Sequence, residues 1–414
     1  MINNIGHILD LEMLREAYQQ LDRKKAVGVD GVTKEEYGKE LSTNLKKLLE
    51  KIRSNRYQAK PSRLVSIPKE DGSTRILAIG TLEDKIVQGA VYLLLSAIYE
   101  PIFLDCSYGF RPKRSCHDAL RVLNKQASQY WDGMVIDIDL KRCFDSIPHK
   151  ELLAVIGKKI TDSKFVKLIA RILKSPIMKD GKIKVNEIGC PQGNLLSPLL
   201  ANIYLHEVLD TWFEEVKTNH LKWKAALIRY CDDAVLIFQN REEARRVFRT
   251  LPKRLGKYGL SLHEDKSRLI VSGRKAAERA GKAGEKLPTY NFLGFTCYFG
   301  KSRQGVYRLK YTSRRDRFTA KLKEIKEVLK KNLNCQNTGE FLKLIVQIIR
   351  GWINYHGISD NGRRVNKFLE ICRKLLFDWF NRRGRKGAMT WKKFPQIMNR
   401  VNFPRGWKTV SMFT

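Results

Sequence analysis

Hydrophobic positions in this chain follow two spacings, and the changes between them mark its elements. Over residues 1–60 they recur at helical intervals, with one turn at Gly28-Val29-Asp30-Gly31. From 62 to 79 they alternate with polar residues on both sides of Lys69-Glu70-Asp71-Gly72, and the Asp-Gly pair predicts a hairpin. Helical spacing then runs to about Gln129. Its most apolar stretch, 86–104, is broken by Gln88, Gly89, Ser96 and Glu100. It therefore reads as a buried helix opened by Thr81 and Asp84 rather than as a membrane span. A strand is predicted over 134–140, then helices through Leu173 and a second hairpin around Asp180-Gly181. A long helix from near Leu195 carries Leu199, Leu200, Ile203 and Leu205.

In Ile228-Arg229-Tyr230-Cys231-Asp232-Asp233-Ala234-Val235-Leu236-Ile237, apolar runs lead into and out of two adjacent carboxylates, which the pattern puts at the tip of a hairpin. A helix over 242–258 and an edge segment near Ser261 follow. Residues 273–287, rich in Gly, Ala, Lys and Glu, predict a mobile loop, and Phe292-Leu293-Gly294-Phe295 resumes strand character. Beyond about Tyr311 the spacing is helical, with apolar positions at Phe341, Leu342, Leu344, Ile345, Ile348 and Ile349. Antiparallel hairpins mixed with helices, then helices alone, give an α+β class ending in an all-helical unit.

Composition adds one strong fact. The apolar content of 43% is ordinary, but Lys and Arg total 79 against 43 acidic residues, a net charge of +36. Residues 301–414 hold 28 basic and 7 acidic residues, so more than half of that excess sits in the last quarter of the chain. The partner this implies is a polyanion, with nucleic acid ahead of a membrane surface. Eight scattered cysteines show no zinc-site or HNH-nuclease spacing and read as reduced thiols of a cytosolic protein. The N-terminus has no basic region followed by an apolar one, so no secretory signal is expected.

Against that background the acidic positions acquire a chemistry. Two adjacent carboxylates cost stability unless a cation neutralises them, and a divalent ion with oxygen ligands does so. A further carboxylate is offered by Ile136-Asp137-Ile138-Asp139-Leu140, where alternation puts Asp137 and Asp139 on one face without choosing between them. A calcium loop starting at Asp137 fails, because Arg142 and Pro148 stand where glycine and glutamate are needed. Carboxylates converging on metal in a basic chain point to phosphoryl transfer on a nucleic-acid backbone. Lys69 and Arg75 flank the Asp71-Gly72 turn and suit a triphosphate, one as a point charge and the other as a fork. Gly189-Cys190-Pro191-Gln192-Gly193-Asn194 forms a turn whose backbone can approach a ligand, and Ser197-Pro198 opens the next helix.

Together these residues resemble the reverse transcriptases encoded by bacterial group II introns, over nearly the whole chain. The resemblance rests on Ser107-Tyr108-Gly109-Phe110-Arg111-Pro112, on Asp139-Leu140-Lys141-Arg142-Cys143-Phe144-Asp145, on Pro191-Gln192-Gly193 with Ser197-Pro198-Leu199-Leu200-Ala201-Asn202, and on Tyr230-Cys231-Asp232-Asp233. It implies a right-hand polymerase: an N-terminal extension at 1–60, fingers and palm with antiparallel sheet at 61–310, and a helical thumb or maturase-specific domain at 311–414 with a short basic tail, within 382–408. It also implies that Asp139 is the metal-binding aspartate. Asp139, Asp232, Asp233 and the Leu140 carbonyl would hold two Mg²⁺, and Lys266 would protonate the leaving pyrophosphate. Lys69, Arg75, Phe144 and Gln192 would bind the deoxynucleotide, with Phe144 barring a ribose 2′-hydroxyl.

Gly351-Trp352-Ile353-Asn354-Tyr355 resembles the thumb signature, in which Trp352 and Tyr355 read as core. Arg111, Gly193, Arg314, Arg315, Arg350, Arg363 and Arg364 are the residues expected on nucleic acid. The implied partners are an RNA template with a DNA primer, the group II intron RNA whose splicing and retrohoming the protein would promote, and target DNA. The implied location is the bacterial cytoplasm, as a monomer or dimer, with no membrane partner. A related enzyme kept by its host for DNA repair or phage defence is the alternative. The chain departs from the family's usual pattern at Cys231, Asn194 and Gly80, where alanine, glycine and proline are common; none of these is a metal ligand.

Overall fold

In the computed structural model the described residues are 1–23, 26–68, 74–130, 132–179, 182–383 and 389–413. They form two compact units, Met1–Cys116 with Val135–Leu269, and His117–Met134 with Ile270–Thr414. The expected division near 310 thus falls inside the second unit. Among the described residues no helix is long and apolar enough to cross a membrane.

The first unit opens with helices Leu11–Gln20, Lys34–Gly38 and Leu41–Arg53. Local capping sets the starts of the first two: Asp10 accepts the Met13 amide at 2.9 Å, and Thr33 and Glu36 form a reciprocal capping box. Helix Leu82–Tyr99 starts at the Thr81 cap, as expected, and buries Ile86, Val87, Ala90, Val91, Leu94 and Leu95. The Tyr57 hydroxyl donates to Asp84 at 2.7 Å, tying the N-terminal segment to this helix.

Eight strands follow in chain order: β1 (Ser62–Pro68), β2 (Thr74–Ile79), β3 (Gly133–Asp139), β4 (Ile177–Lys179), β5 (Lys182–Lys184), β6 (Ala225–Tyr230), β7 (Asp233–Phe238) and β8 (Arg268–Ser272). One sheet has the order β2-β1-β4-β5, with Ile67 opposite Arg75 across the first pair. The tips of its two hairpins, 69–73 and 180–181, lie outside the described residues, and Lys69 with them. The other sheet has the order β6-β7-β3-β8. Its middle strands β3 and β7 are buried almost throughout, which is why they read as continuous apolar runs interrupted only by aspartates. The long helix expected from Leu195 is Ser197–Leu205, then a π-turn at His206–Asp210, then Thr211–His220.

The second unit holds β9 (Tyr290–Phe292), β10 (Phe295–Lys301) and β11 (Tyr307–Ser313), ordered β11-β10-β9, and helices Arg315–Lys331, Thr338–His356, Gly362–Arg383 and Phe394–Arg400. The helices close over Phe318, Ile345, Ile349, Trp352, Phe368 and Trp379. Trp352 stacks on Phe368 at 3.8 Å within this core, whereas Tyr355 is half-buried, its hydroxyl donating to the Leu293 carbonyl at 2.8 Å and its ring stacked on Phe295.

One expectation is corrected here. The loop expected over 273–287 contains a helix, Arg274–Lys282, because Ala276 and Ala277 find burial and Arg274 pairs with Glu278 one turn on at 2.8 Å. In the stretch expected to hold the short basic tail, Phe394, Met398 and Phe403 are buried in the helical core.

Candidate active site

The site is built where β6 returns as β7. Tyr230 pairs with Asp233, leaving Cys231 and Asp232 as a two-residue connection. So tight a turn calls for a left-handed residue, and Cys231 supplies it at φ 59. The turn is pressed against Gly109, where a side-chain carbon would lie 2.6 Å from the Cys231 amide nitrogen; only glycine fits.

Asp139 ends β3, the strand next to β7 in the sheet. Ser267 clamps it: the Ser267 hydroxyl accepts from the Asp139 amide and donates to its carbonyl, both at 3.1 Å. Asp139 and Lys141 turn their backbone groups toward His263 and Ser261, so the intervening Leu140 carbonyl points the other way. Burial raises the Asp232 carboxyl above its ordinary range, the charge of Asp139 raises it further, and Arg75 and Arg229 oppose the rise. Asp137 is pushed up to about 6 by burial, against the pull of Arg268 at 3.5 Å. Lys266 Nζ stands 4.0 Å from Asp139 Oδ2, both side chains half in solvent. Among the described residues no three acidic, His or Cys side chains make a ready metal cluster. The donors that do meet are all hard oxygens, with two carboxylates close enough to repel, and this set fits a divalent cation.

Beside Asp232 a cleft of about 650 Å³ opens, lined among others by Arg75, Phe144, Gln192 and Gly193. Three of the residues expected around a nucleotide, Arg75, Phe144 and Gln192, thus share one cavity with a metal-binding candidate and with Gly193, which is expected on nucleic acid. Backbone bonds lace the walls together: the Gln192 carbonyl accepts the Ala78 amide at 2.7 Å, and the Phe144 carbonyl accepts the Cys190 amide at 2.7 Å. Gly193, at φ 98, sits where a side-chain carbon would lie 3.0 Å from the Ala78 carbonyl oxygen. Ala17, Gln20 and Leu21 of the first helix also line the cleft, which nothing in their local sequence signals.

Several expected nucleic-acid residues are otherwise engaged. Arg111 is a correction: its guanidinium is buried, donating to Glu100 Oε2 at 3.0 Å and to the Leu104 and Ser107 carbonyls at 2.9 and 3.0 Å, so it braces a loop instead of facing a ligand. In the second unit Arg314 pairs with Asp316, Arg350 donates to the Asn402 carbonyl, and Arg364 lies 5.1 Å over the Phe318 ring. Arg315 and Arg363 are exposed. A functional residue with no recognisable motif is Arg229, wholly buried behind the turn. Its one signal is a lone arginine inside an apolar strand.

An acidic turn between antiparallel strands, beside a cleft that Arg75 and Gly193 line, in a chain that also carries a helical bundle, is the arrangement of a right-hand polymerase of α+β fold. Residues 67–297 match the family described as reverse transcriptase (RNA-dependent DNA polymerase), and residues 317–396 match the group II intron maturase-specific domain. The chain belongs to the reverse transcriptase family, whose members depend on divalent metal, and carries that maturase domain. It is 37% identical over 213 residues to the group II intron-encoded protein LtrA of Lactococcus lactis, covering 51% of this chain and 35% of that one. It is 32% identical over 301 residues to the protein YkfC of Escherichia coli, covering 62% of this chain and 77% of that one. It is also 37% identical over 214 residues to an uncharacterized 91 kDa protein of the cob intron of Schizosaccharomyces pombe, covering 51% of this chain and 26% of that one.

Proposed function

We propose that the chain is an RNA-directed DNA polymerase that adds deoxynucleotides to a primer 3′-hydroxyl on an RNA template, and that it binds a group II intron RNA to promote splicing and retrohoming. The observation that carries the reading is the cleft in which Arg75, Phe144, Gln192 and Gly193 meet Asp232. Asp139, Asp232, Asp233 and the Leu140 carbonyl would hold two Mg²⁺, which would supply the Lewis acidity that activates the primer hydroxyl and neutralises the leaving pyrophosphate.

The remaining steps belong to side chains. Lys69 and Arg75 hold the triphosphate, and the Phe144 ring occupies the space a 2′-hydroxyl needs. Lys266, half in solvent beside Asp139, gives its proton to the pyrophosphate. Arg315 and Arg363 hold template-primer backbone, with Arg314, Arg350 and Arg364 beside them. In this reading 1–60 extends the template grip, 61–310 are fingers and palm, 311–414 are the thumb, and the protein works in the bacterial cytoplasm. The test is primer extension on an RNA template with dNTPs and Mg²⁺. Extension by the wild type that Asp232→Asn abolishes supports the reading, and a folded wild type without extension overturns it.

A further inference from the structure

Arg229 is a charge in a place where charges are rarely left. It is the next-to-last residue of β6, wholly buried, and its partner Asp210 is as inaccessible. All five guanidinium N–H groups are used. Nε donates to Asp210 Oδ1 at 2.7 Å, and Nη2 donates to Asp210 Oδ2 at 2.5 Å and to Ser107 Oγ at 2.8 Å. Nη1 donates to Asn202 Oδ1 at 2.8 Å and to the Cys231 carbonyl at 2.9 Å. That last bond holds the peptide immediately before Asp232. Asn202 extends the network by donating through Nδ2 to the Gly109 carbonyl at 2.7 Å, and Gly109 is the residue against which the turn is pressed. The arginine backbone pairs with the same loop, its amide to the Cys106 carbonyl and its carbonyl to the Tyr108 amide, both at 2.8 Å. The left-handed turn is therefore held on one side by the Arg229 side chain and on the other by Asn202, which that side chain itself grips.

The π-turn at His206–Asp210 explains how two acceptors from one helix reach that side chain. Asp210 lies eight positions after Asn202. At about 100° per residue, an unbroken α-helix would leave it roughly 80° round the axis from Asn202. A π-turn advances by fewer degrees per residue and takes up this offset, so both side chains meet Arg229. A buried ion pair is a poor way to add stability, since well-packed apolar residues of similar volume do as well or better. Its retention beneath a turn that carries Asp232 calls for another purpose.

We propose that Asp210 and Arg229, aligned by the π-turn, are positioning residues that fix the Cys231-Asp232 peptide and so set the affinity of the acidic turn for divalent metal. The inference rests on the polymerase reading for its consequence in catalysis, but its direct readout is metal binding.

The experiment titrates Mn²⁺ into the full-length chain and follows free Mn²⁺ by electron paramagnetic resonance, with thermal unfolding and dNTP kinetics alongside. The double variant Arg229→Met/Asp210→Leu removes both buried charges and keeps apolar volume, so its unfolding temperature stays near wild type. Its Mn²⁺ midpoint is expected to rise tenfold or more and its kcat to fall, with KM for dNTP within twofold. Arg229→Lys should not rescue, because one ammonium cannot serve Asp210, Ser107, Asn202 and the Cys231 carbonyl together. A folded double variant with the wild-type Mn²⁺ midpoint overturns the proposal. If the double variant does not fold, Arg229→Lys, which keeps a charge beside Asp210 and gives up the forked bonds to the other partners, decides in the same way: a raised midpoint supports the proposal and an unchanged one overturns it. A wild type that binds Mn²⁺ without extending a primer refutes the polymerase reading alone.

Discussion

Asp232 carries a carboxyl that burial and the charge of Asp139 hold above its usual range, so its charged form is less favoured than that of a free carboxylate. A divalent ion reverses that balance, and the cost of losing either carboxylate should be large. Asp232→Asn and Asp139→Asn keep the side-chain shape and remove the charge. Removing about 4 kcal/mol of transition-state stabilisation is roughly a thousandfold in rate, so primer extension should fall by that order while RNA affinity changes by less than about twofold. Extension within tenfold of wild type by either variant rules out the metal assignment. Phe144 lines the cleft beside Asp232, and shortening it opens space where a 2′-hydroxyl would lie. Phe144→Ala should lower the preference for dNTP over rNTP by about tenfold or more, read as the ratio of kcat/KM values; an unchanged ratio removes the gate. The acidic pair shows in the sequence because its signal is local, adjacent acids within an apolar hairpin, whereas Phe144 is singled out only by the resemblance to the reverse transcriptases. Arg229 is not legible there, because its meaning lies in partners 19, 27 and 122 residues away.

At the scale of elements, one joint in the second unit makes a separate prediction. His356 ends helix Thr338–His356, with Nδ1 3.1 Å from the Ser313 hydroxyl at the end of β11. Asn361 bridges the two by donating to Ser313 Oγ at 2.7 Å and to the His356 carbonyl at 2.8 Å. Phe295, Trp352 and Tyr355 surround the ring, and Arg317 and His117 are the cations that act on it. Burial first, then those cations, lower its pKa to about 4. A histidine depressed below its unfolded value stabilises the fold above that unfolded value, near 6.5, and loses the contribution as pH falls toward 4. The loss amounts to about 3 kcal/mol over that window. His356→Leu should lower thermal stability at pH 7 through the lost hydroxyl contact, yet flatten the fall between pH 6.5 and 4; an equal slope in both proteins contradicts the buried neutral imidazole. Strands and helices of this region are readable from spacing, but the helix Arg274–Lys282 is not. Its composition reads as a loop until Ala276 and Ala277 are given something to pack on. The π-turn at His206–Asp210 is equally hidden, since the apolar spacing of its flanks continues as a helix would.

For the whole molecule, charge is the dominant quantity, and the amino-acid sequence alone displays it: +36 in 414 residues, with +21 of it in 301–414. The fold decides how much of it is free for a partner. Arg229 is cancelled inside the fold, Arg308 is held by Asp360 at 2.6 Å, Arg279 by Asp132 at 2.6 Å, and Arg111 by Glu100 at 3.0 Å. Exposed cations such as Arg315 and Arg363 remain, each with the long, hydrated side chain that exchanges counterions for phosphate. A net positive field of this size should make association with RNA fast and affinity a steep function of salt. If six to ten phosphates are neutralised, affinity should fall by about 10³–10⁵ between 50 and 200 mM potassium, with a straight line in a log–log plot. Substituting the exposed pair, Arg315→Ala with Arg363→Ala, should reduce the slope by nearly two, whereas substituting the buried Arg111 should leave the slope alone and lower stability instead. A slope below about two in the wild type would mean that the excess charge does not meet the nucleic-acid backbone, and the proposed role of 301–414 as a basic binding arm would fall.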